Sequence, residues 1–274
     1  MNVFIYYRGK SAPSARALHA SLKENSDHKF IRGTTKSKFL RRMKFDVLIN
    51  VGNSQALPVK NIKHIINPPA SIRMSANKKQ ARIRFKAKGI PAPKLWMDAS
   101  IVPKKEFPVV GRTSYHMKAK GFWYCRSYAE AKKAQLKGAT HFLKFIKNTR
   151  EFRAHVFSTV IRPKSIDDYV IAKLSEKRRS EKSDSSIIKN HEHGYKFVAP
   201  LKNSSPIVLD RVRQLAKEAL LKFNLNYGGV DIVYSLNTKK AYVLEINSTP
   251  CLTDEVSSTL DTYTEKFVNL IKTV

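Results

Sequence analysis

The chain has 274 residues, enough for one large or two small domains, and with 42% hydrophobic and 10% aromatic residues it can bury a proper core, which excludes wholesale disorder. No stretch reaches the ~20 apolar residues of a membrane span, and the apolar run near the N-terminus is too short for a signal peptide. Two cysteines, Cys125 and Cys251, allow one disulfide at most, so the expectation is a soluble cytoplasmic protein with no membrane partner. The net charge is +31, and it is unevenly spread: residues 1–100 hold 21 basic and 4 acidic residues, residues 101–200 hold 22 and 9, and the remainder 9 and 8. Such asymmetry points to a basic face that meets a polyanion, nucleic acid or acidic peptide; a merely solvated surface is the plain alternative.

In chain order, Asn2–Tyr7 is a strand-like apolar run, Gly9 and Pro13 mark a turn, and Ser14 is placed to cap a helix ending at Glu24. Short apolar runs follow at Lys29–Ile31, Asp46–Val51 and Ile62–Ile66, with a basic helical stretch at Ser37–Lys44. Strands alternating with helices predict a small parallel α/β unit over residues 1–70. Neither a dinucleotide fingerprint nor a P-loop is present. Asn67-Pro68-Pro69 breaks the pattern and forms the first boundary. Ser75 opens a predicted helix to Lys88, stopped by Gly89, Pro91 and Pro93.

Strand signals then appear at Phe107–Val110 and Phe122–Cys125, and Ser127 and Glu130 form a capping-box pattern for a helix to Lys137. Strands are expected at His141–Ile146 and Phe152–Ile161, and Lys173–Ser186 reads as a polar loop. From Ser205-Pro206, residues Val208, Val212, Leu215, Ala216, Ala219, Leu220 and Phe223 fall on one helical face. A hairpin, Gly229–Leu236 and Ala241–Ile246, precedes a closing helix lined by Tyr263, Phe267, Leu270 and Ile271. No internal repeat occurs, and no pattern sets an oligomeric state.

The hairpin carries the strongest chemical signal. Glu245 and Asn247 project to one face of their strand, about 7 Å apart, and Asp231 on the neighbouring strand can reach the same side. Two carboxylates and an amide oxygen among apolar neighbours suit a hard divalent cation such as Mg2+, which would relieve their mutual repulsion. The alternative is an exposed hairpin whose acids face water.

The segment Val243-Leu-Glu-Ile-Asn-Ser-Thr-Pro-Cys-Leu252 resembles the last metal-binding strand of the ATP-grasp superfamily, and Gly228-Gly-Val-Asp231 resembles its partner strand. Further matches follow the family's order. Asn77-Lys78 with Lys88-Gly-Ile-Pro-Ala-Pro93 is similar to the opening helix and exit loop. Phe107-Pro-Val-Val-Gly-Arg112 resembles a strand ending on the ATP phosphates, and His116–Gly121 stands where the phosphate loop falls. Phe142-Leu-Lys-Phe-Ile146 is similar to the hinge strand that meets adenine. Glu151-Phe-Arg-Ala-His-Val156 resembles a run found in bacteriophage members. Ala172-Lys173 and Ile188-Lys-Asn190 resemble the segment over the triphosphate. The pattern departs at Ala119 and Cys251, where the family usually has Gly.

The resemblance, which extends to peptide ligases of the ribosomal-protein glutamate ligase type, implies an α/β (α+β) chain. It would combine a small Rossmann-like N-terminal domain (1–70), a central ATP-grasp subdomain (71–140) and a C-terminal subdomain (141–274). It implies a carboxylate-amine ligase acting through an acyl phosphate and releasing ADP on an acidic substrate, in a host cytoplasm if phage-encoded. Mg2+ would sit on Asp231, Glu245 and Asn247. ATP would meet Lys78, Arg112, Lys118, Lys120, Lys144, Phe145, Ile146, Lys173 and Asn190. Arg112, Lys120, Arg153 and Lys173 would act in catalysis.

Alternatives stay open for several residues. Arg153 either pairs with Glu151 or serves the substrate carboxylate or acyl phosphate. Lys177-Arg178-Arg179 is a solvated run or a clamp, and His191-Glu-His193 is a loop or a fragment of a metal site. For the whole chain, the competing expectation is a non-catalytic nucleic-acid-binding protein on the same scaffold.

Overall fold

The computed structural model describes all residues except 10–11, 115–120, 182–186, 188, 190, 202–203, 250–251 and 253–256, and leaves aside the side chains of 191 and 257–258. The N-terminal part runs β1 (Asn2–Tyr7), α1 (Ala12–Glu24), β2 (Lys29–Gly33), α2 (Lys38–Arg42), β3 (Phe45–Val51) and β4 (Ile62–Ile66), with a parallel sheet in the order β2-β1-β3-β4. Parallel sheets covered on both faces favour unbroken apolar strands, and the interior of β1, Val3 to Tyr6, is fully buried. Against expectation, α1 starts before Ser14. That hydroxyl accepts the Leu252 backbone N–H at 3.2 Å and so ties α1 to the chain beyond residue 250.

Two helices follow, α3 (Pro69–Ala76) and α4 (Lys78–Ala87), where the sequence suggested one helix opened by Ser75. Asn77 is the actual cap of α4, its side-chain oxygen accepting from the Gln80 N–H at 3.0 Å, while the Ser75 hydroxyl donates to the Ile72 carbonyl. Gly89 stops the helix with φ 64°. Next come β5 (Leu95–Trp96), β6 (Val109–Arg112), β7 (Phe122–Cys125), α5 (Tyr128–Leu136) and β8 (His141–Lys144), building an antiparallel sheet ordered β5-β8-β6-β7. Ser127 caps α5, but the Glu130 carboxylate reaches the Arg126 N–H rather than closing a box on Ser127.

The C-terminal part is β9 (Thr149–Ser158), β10 (Tyr169–Arg179), β11 (Tyr195–Val198), α6 (Pro206–Phe223), β12 (Tyr227–Ser235), β13 (Ala241–Asn247) and α7 (Ser257–Ile271), with the five strands ordered β11-β10-β9-β12-β13 and antiparallel. All seven apolar residues on the predicted face of α6 are buried, against Phe152, Ala154, Val230 and Ile232. Each fully buried large side chain there contributes on the order of 1.5–3 kcal/mol. Ile72, Ala81 and Phe85 of α3 and α4 join this core. At its Phe157 and Tyr227 end the opposite face packs against α7 and the parallel sheet, and the Tyr227 hydroxyl donates to the Asn50 carbonyl at 2.8 Å. Among the described residues no helix is long and apolar enough to cross a membrane.

The stretch expected as a polar loop from Lys173 is strand as far as Arg179. Its charges are partnered rather than solvated. Glu176 takes a bidentate pair from Arg150 (2.7 and 2.9 Å) and a contact from Arg178 (3.2 Å), while Lys177 reaches Glu151 on β9 at 3.0 Å. The break at Asn67 is likewise more than a boundary. Asn67 is buried with φ 60°, a conformation Asn tolerates better than most residues. Its side-chain oxygen accepts from the N–H groups of Asn226 (2.7 Å) and Tyr227 (3.2 Å). Its amide donates to the Tyr227 carbonyl at 2.9 Å, and its backbone N–H to the Asn226 Oδ1 at 3.0 Å. This clasp fixes the end of the parallel sheet to the start of β12.

Buried His155 on β9 faces the Tyr263 hydroxyl of α7 at 2.9 Å, and burial, helped by the charges of Arg153 and Lys173, pushes its pKa down to about 4. An unfolded histidine titrates near ~6.5, so this stability is complete above that pH and is lost as the pH falls toward 4, by about 3 kcal/mol in all. Urea unfolding at pH 7.5 and 4.5 should therefore show a loss larger by roughly 2–3 kcal/mol in the native chain than in His155→Gln. Equal losses would contradict this.

Candidate active site

Strand pairing sets the site. Asp231 on β12 lies opposite Glu245 on β13 and, on its other side, opposite Arg153 on β9, which itself lies opposite Ser175 on β10. Residues directly opposite one another share a face, so Ser175, Arg153, Asp231 and Glu245 form one row across four strands. Gly229 opposite Asn247 begins the next row, and having no side chain it leaves Asn247 room beside the acids. The alternate residues Phe152, Val230 and Ile246 point into the core under α6.

Arg153 forks onto Asp231, with Nε to Oδ1 at 2.6 Å and Nη2 to Oδ2 at 2.8 Å, and its guanidinium lies 4.4 Å from the Phe197 ring centroid. Burial works against its charge, but the ion pair and hydrogen bonds with Asp231, aided by Glu245, outweigh that and hold its pKa above the usual arginine value. Glu151 is paired with Lys177 (3.0 Å) and Lys189 (3.1 Å), so the expected Arg153–Glu151 alternative does not form. The reason is register. Glu151 and Arg153 share a face of β9, but each finds an opposite charge directly across on a neighbouring strand.

Glu245 is engaged by the Lys78 ammonium at 2.5 Å and by the Asn247 amide nitrogen at 3.1 Å. Burial tends to raise its pKa, yet Lys78, Asn247 and Arg153 together hold it well below the usual carboxylate range. Lys78 stands at the start of α4, where its backbone N–H donates to the Ser114 carbonyl at 3.3 Å. One helical turn further, Arg82 donates to the Val243 carbonyl at 2.8 Å. Its pKa is pushed down to about 10 by burial, with Glu245 opposing and Arg112 adding to the shift. Arg112 ends β6 beside the Phe122 ring (5.3 Å), and burial lowers its pKa against the field of Glu245. Lys78, Arg82, Arg112 and Arg153 thus converge on Asp231 and Glu245 from both antiparallel sheets and from α4. Arg82 was missed as a site residue, although its spacing of four from Lys78 is the signal that puts both on one helical face.

The remaining candidates divide. Lys173 lies opposite His155, two residues along β10 from Ser175, and donates to the Thr259 hydroxyl at 3.0 Å. Lys118, Lys120 and Asn190 lie outside the described residues, as does Cys251. Thr113 and Gly121 close the base of the β6–β7 connection with a 3.3 Å backbone bond. Between the sheets, Tyr124, Arg126, Phe145, Ile146, Asn148 and Lys189 are among the residues lining an open cleft of about 470 Å3. The Lys144 ammonium is turned to the Glu106 carbonyl (2.7 Å) and carboxylate (3.4 Å). The N–H groups of Lys144 and Phe145 go to the carbonyls of Lys94 (2.9 Å) and Pro108 (3.3 Å), so these two amides are engaged within the small sheet rather than turned to the cleft. A further cleft of about 500 Å3, lined by Pro91, Arg211, Leu215 and residues 238–242, shares no residue with this region.

The donor set fits a hard divalent cation. Among the described residues no group of three His, Cys, Asp or Glu is gathered, so Glu192 and His193 belong to no such cluster. The two facing carboxylates are flanked instead by Asn247, whose NH2 is donated to Glu245, so that its Oδ1 is the third oxygen a cation there could take.

No protein-family model and no curated protein sequence matches the chain. Solved structures do. The VanG D-Ala:D-Ser ligase from Enterococcus faecalis is similar with a TM-score of 0.70 at 12% identity, over 99% of this chain and 98% of that one. The D-alanine–D-alanine ligase from Bacillus anthracis follows at 0.67 and 13%, over 99% and 96%. The same ligase complexed with ATP gives 0.64 and 15%, over 100% and 96%. At these identities the likeness establishes the architecture: the chain has the ATP-grasp fold, a mixed α/β arrangement, along its full described length.

Proposed function

We propose that the chain is an ATP-dependent ligase that activates a carboxylate as an acyl phosphate, joins it to an amine and releases ADP. The observation that carries this reading is the convergence of Lys78, Arg82, Arg112 and Arg153 on the Asp231–Glu245–Asn247 row, beside an open cleft between two antiparallel sheets. Mg2+, held by Asp231, Glu245 and Asn247, would neutralise triphosphate charge and fix its geometry. The similar structure solved with ATP supports a nucleotide in this fold, and the resemblance of Phe142–Ile146 to the family's hinge strand supports the Phe145 and Ile146 cleft as the place for its base.

The chain's own groups divide the work. Lys78 and Arg112 are cations at the Glu245 end of the row, suited to the charge that spreads over a transferring phosphoryl group. Arg153, held rigid by Asp231 and Phe197, has three N–H donors beyond the two it gives to Asp231, suited to orienting the reacting carboxylate. A carboxylate oxygen attacks the γ-phosphorus and ADP leaves. The amine nitrogen then attacks the acyl carbon, phosphate leaves with its bridging oxygen, and the nitrogen loses a proton. No side-chain nucleophile is needed. Lys118, Lys120, Lys173 and Asn190 extend the phosphate-binding set by their resemblance to the family. The surplus of cations supports an acidic co-substrate, with a peptide carboxylate or amine the leading class, as in peptide ligases. A non-catalytic scaffold is disfavoured because Asp231, Glu245 and Asn247 are all retained in mutual register.

The test is a screen of acidic peptides and amines with Mg-ATP, resolving ADP from AMP. ADP formed only when both an acid and an amine are present is expected. AMP formation, or no acceptor-dependent turnover across acidic substrates, would overturn the reading.

A further inference from the structure

Folding splits the basic excess into two unlike parts. Of the run from Lys78 to Lys94, Lys78 and Arg82 are committed to Glu245 and to the Val243 carbonyl. The run from Arg32 to Lys44 supplies nothing to that site. Its six cations, Arg32, Lys36, Lys38, Arg41, Arg42 and Lys44, are all exposed, and among the described residues none of them makes an ion pair. The nearest acid, Asp46, is committed to Lys63 at 2.7 Å and to the Asn2 N–H at 2.9 Å.

These cations are presented on a fixed frame. β2 is the outer strand of the parallel sheet, and the chain turns back immediately after it. Gly33 permits the turn, since a Cβ there would lie 2.7 Å from the Ser37 Cβ and 2.9 Å from the Phe4 ring. The Ser37 N–H to Thr34 carbonyl bond (3.0 Å) and the Lys36 N–H to Thr34 hydroxyl bond (3.3 Å) hold it. Leu40 then anchors α2 in a core of Phe4, Tyr6, Phe45 and Leu48. Its neighbour Phe39 does the opposite and stands 54% exposed amid the cations. Core packing does not require that ring, and a surface built only for charge repulsion would gain nothing from it. A flat aromatic face between unpaired cations is the arrangement on which unpaired bases stack while their phosphates are neutralised.

We infer that the edge formed by Arg32, the 33–37 turn and α2 binds single-stranded nucleic acid, with the cations on backbone phosphates and Phe39 stacked on a base. A duplex offers phosphates but no free base face, and an acidic peptide offers carboxylates that need no ring. The surface is separate from the proposed ligase site, so either reading can fail alone.

The test is fluorescence anisotropy of the full chain with labelled single-stranded DNA and RNA, duplex DNA and polyglutamate of matched length, at about 50 and about 200 mM salt. Single strands should bind best. If about four phosphates are engaged, affinity should fall roughly fiftyfold across that salt step. Phe39→Leu should weaken binding roughly tenfold or more at unchanged salt dependence, and Phe39→Tyr should restore it. Arg41→Ala with Arg42→Ala should flatten the salt dependence, without altering ATP turnover. Unchanged binding by Phe39→Leu, a preference for the duplex, equal binding of polyglutamate, or no binding would each overturn the inference.

Discussion

Replacing Glu245 with alanine should abolish Mg-dependent ATP turnover while leaving the fold in place. The carboxylate sits at the centre of the site, facing Asp231 across the hairpin and bonded to Lys78 and Asn247, so its loss removes one of the two anionic ligands proposed for the metal. It is not core packing: the buried side of β13 is carried by Val243 and Ile246. The ion-pair partner left behind, Lys78, is only partly buried and can recover water, so the loss of that pair should cost about 1 kcal/mol. Circular dichroism melting together with an ADP-release assay checks both halves of this statement. A folded variant with near-normal turnover would remove Glu245 from the metal site.

Arg112→Ala should lower kcat by on the order of a hundredfold or more, with a much smaller change in the Michaelis constant for ATP. Arg112 ends a strand of the small sheet and lies in the field of Glu245 on the large one, so it bridges the two walls between which a triphosphate would lie. A cation held there by strand pairing and by the Phe122 ring is already oriented before charge develops, and in the proposed reaction its contact would strengthen as the phosphoryl group transfers. The same result is expected for Lys120→Ala if the sequence resemblance of His116–Gly121 to a phosphate loop holds. Steady-state kinetics with saturating acceptor separates the cases. An effect confined to the Michaelis constant would make Arg112 a ground-state binding residue.

Much of this fold was legible because period reports burial. The α6 face from Val208 to Phe223 and the α7 residues Tyr263, Phe267, Leu270 and Ile271 were readable at helical spacing, and all of them are buried. The Asp231, Glu245 and Asn247 grouping was readable because a hairpin is local, and alternation along β13 fixes which residues share a face. What stayed hidden depends on contacts between distant segments. The Arg153–Asp231 fork joins strands 78 residues apart, and only the order β9-β12-β13 reveals it. β10 looked like a loop because its polar residues, Glu176, Lys177 and Arg178, give no apolar alternation, and their partners lie partly on other strands. Asn67 looked like a chain break because its four hydrogen bonds reach residues 226 and 227. Residue type alone suggests Ser14 and Ser75 as caps, whereas the Ser14 hydroxyl is taken by the distant Leu252 N–H and the start of α4 is capped by Asn77.

The most direct measurement follows the oxygen. With an acidic acceptor substrate identified by ADP release and carrying 18O in its carboxylate, the phosphate released on amide formation is analysed by mass spectrometry. An acyl phosphate formed beside the Asp231–Glu245–Asn247 row and aminolysed there requires one 18O per phosphate, because the carboxylate oxygen becomes the bridging oxygen and departs with phosphorus. Phosphate free of the label, with product still formed, would contradict phosphoryl transfer to the carboxylate.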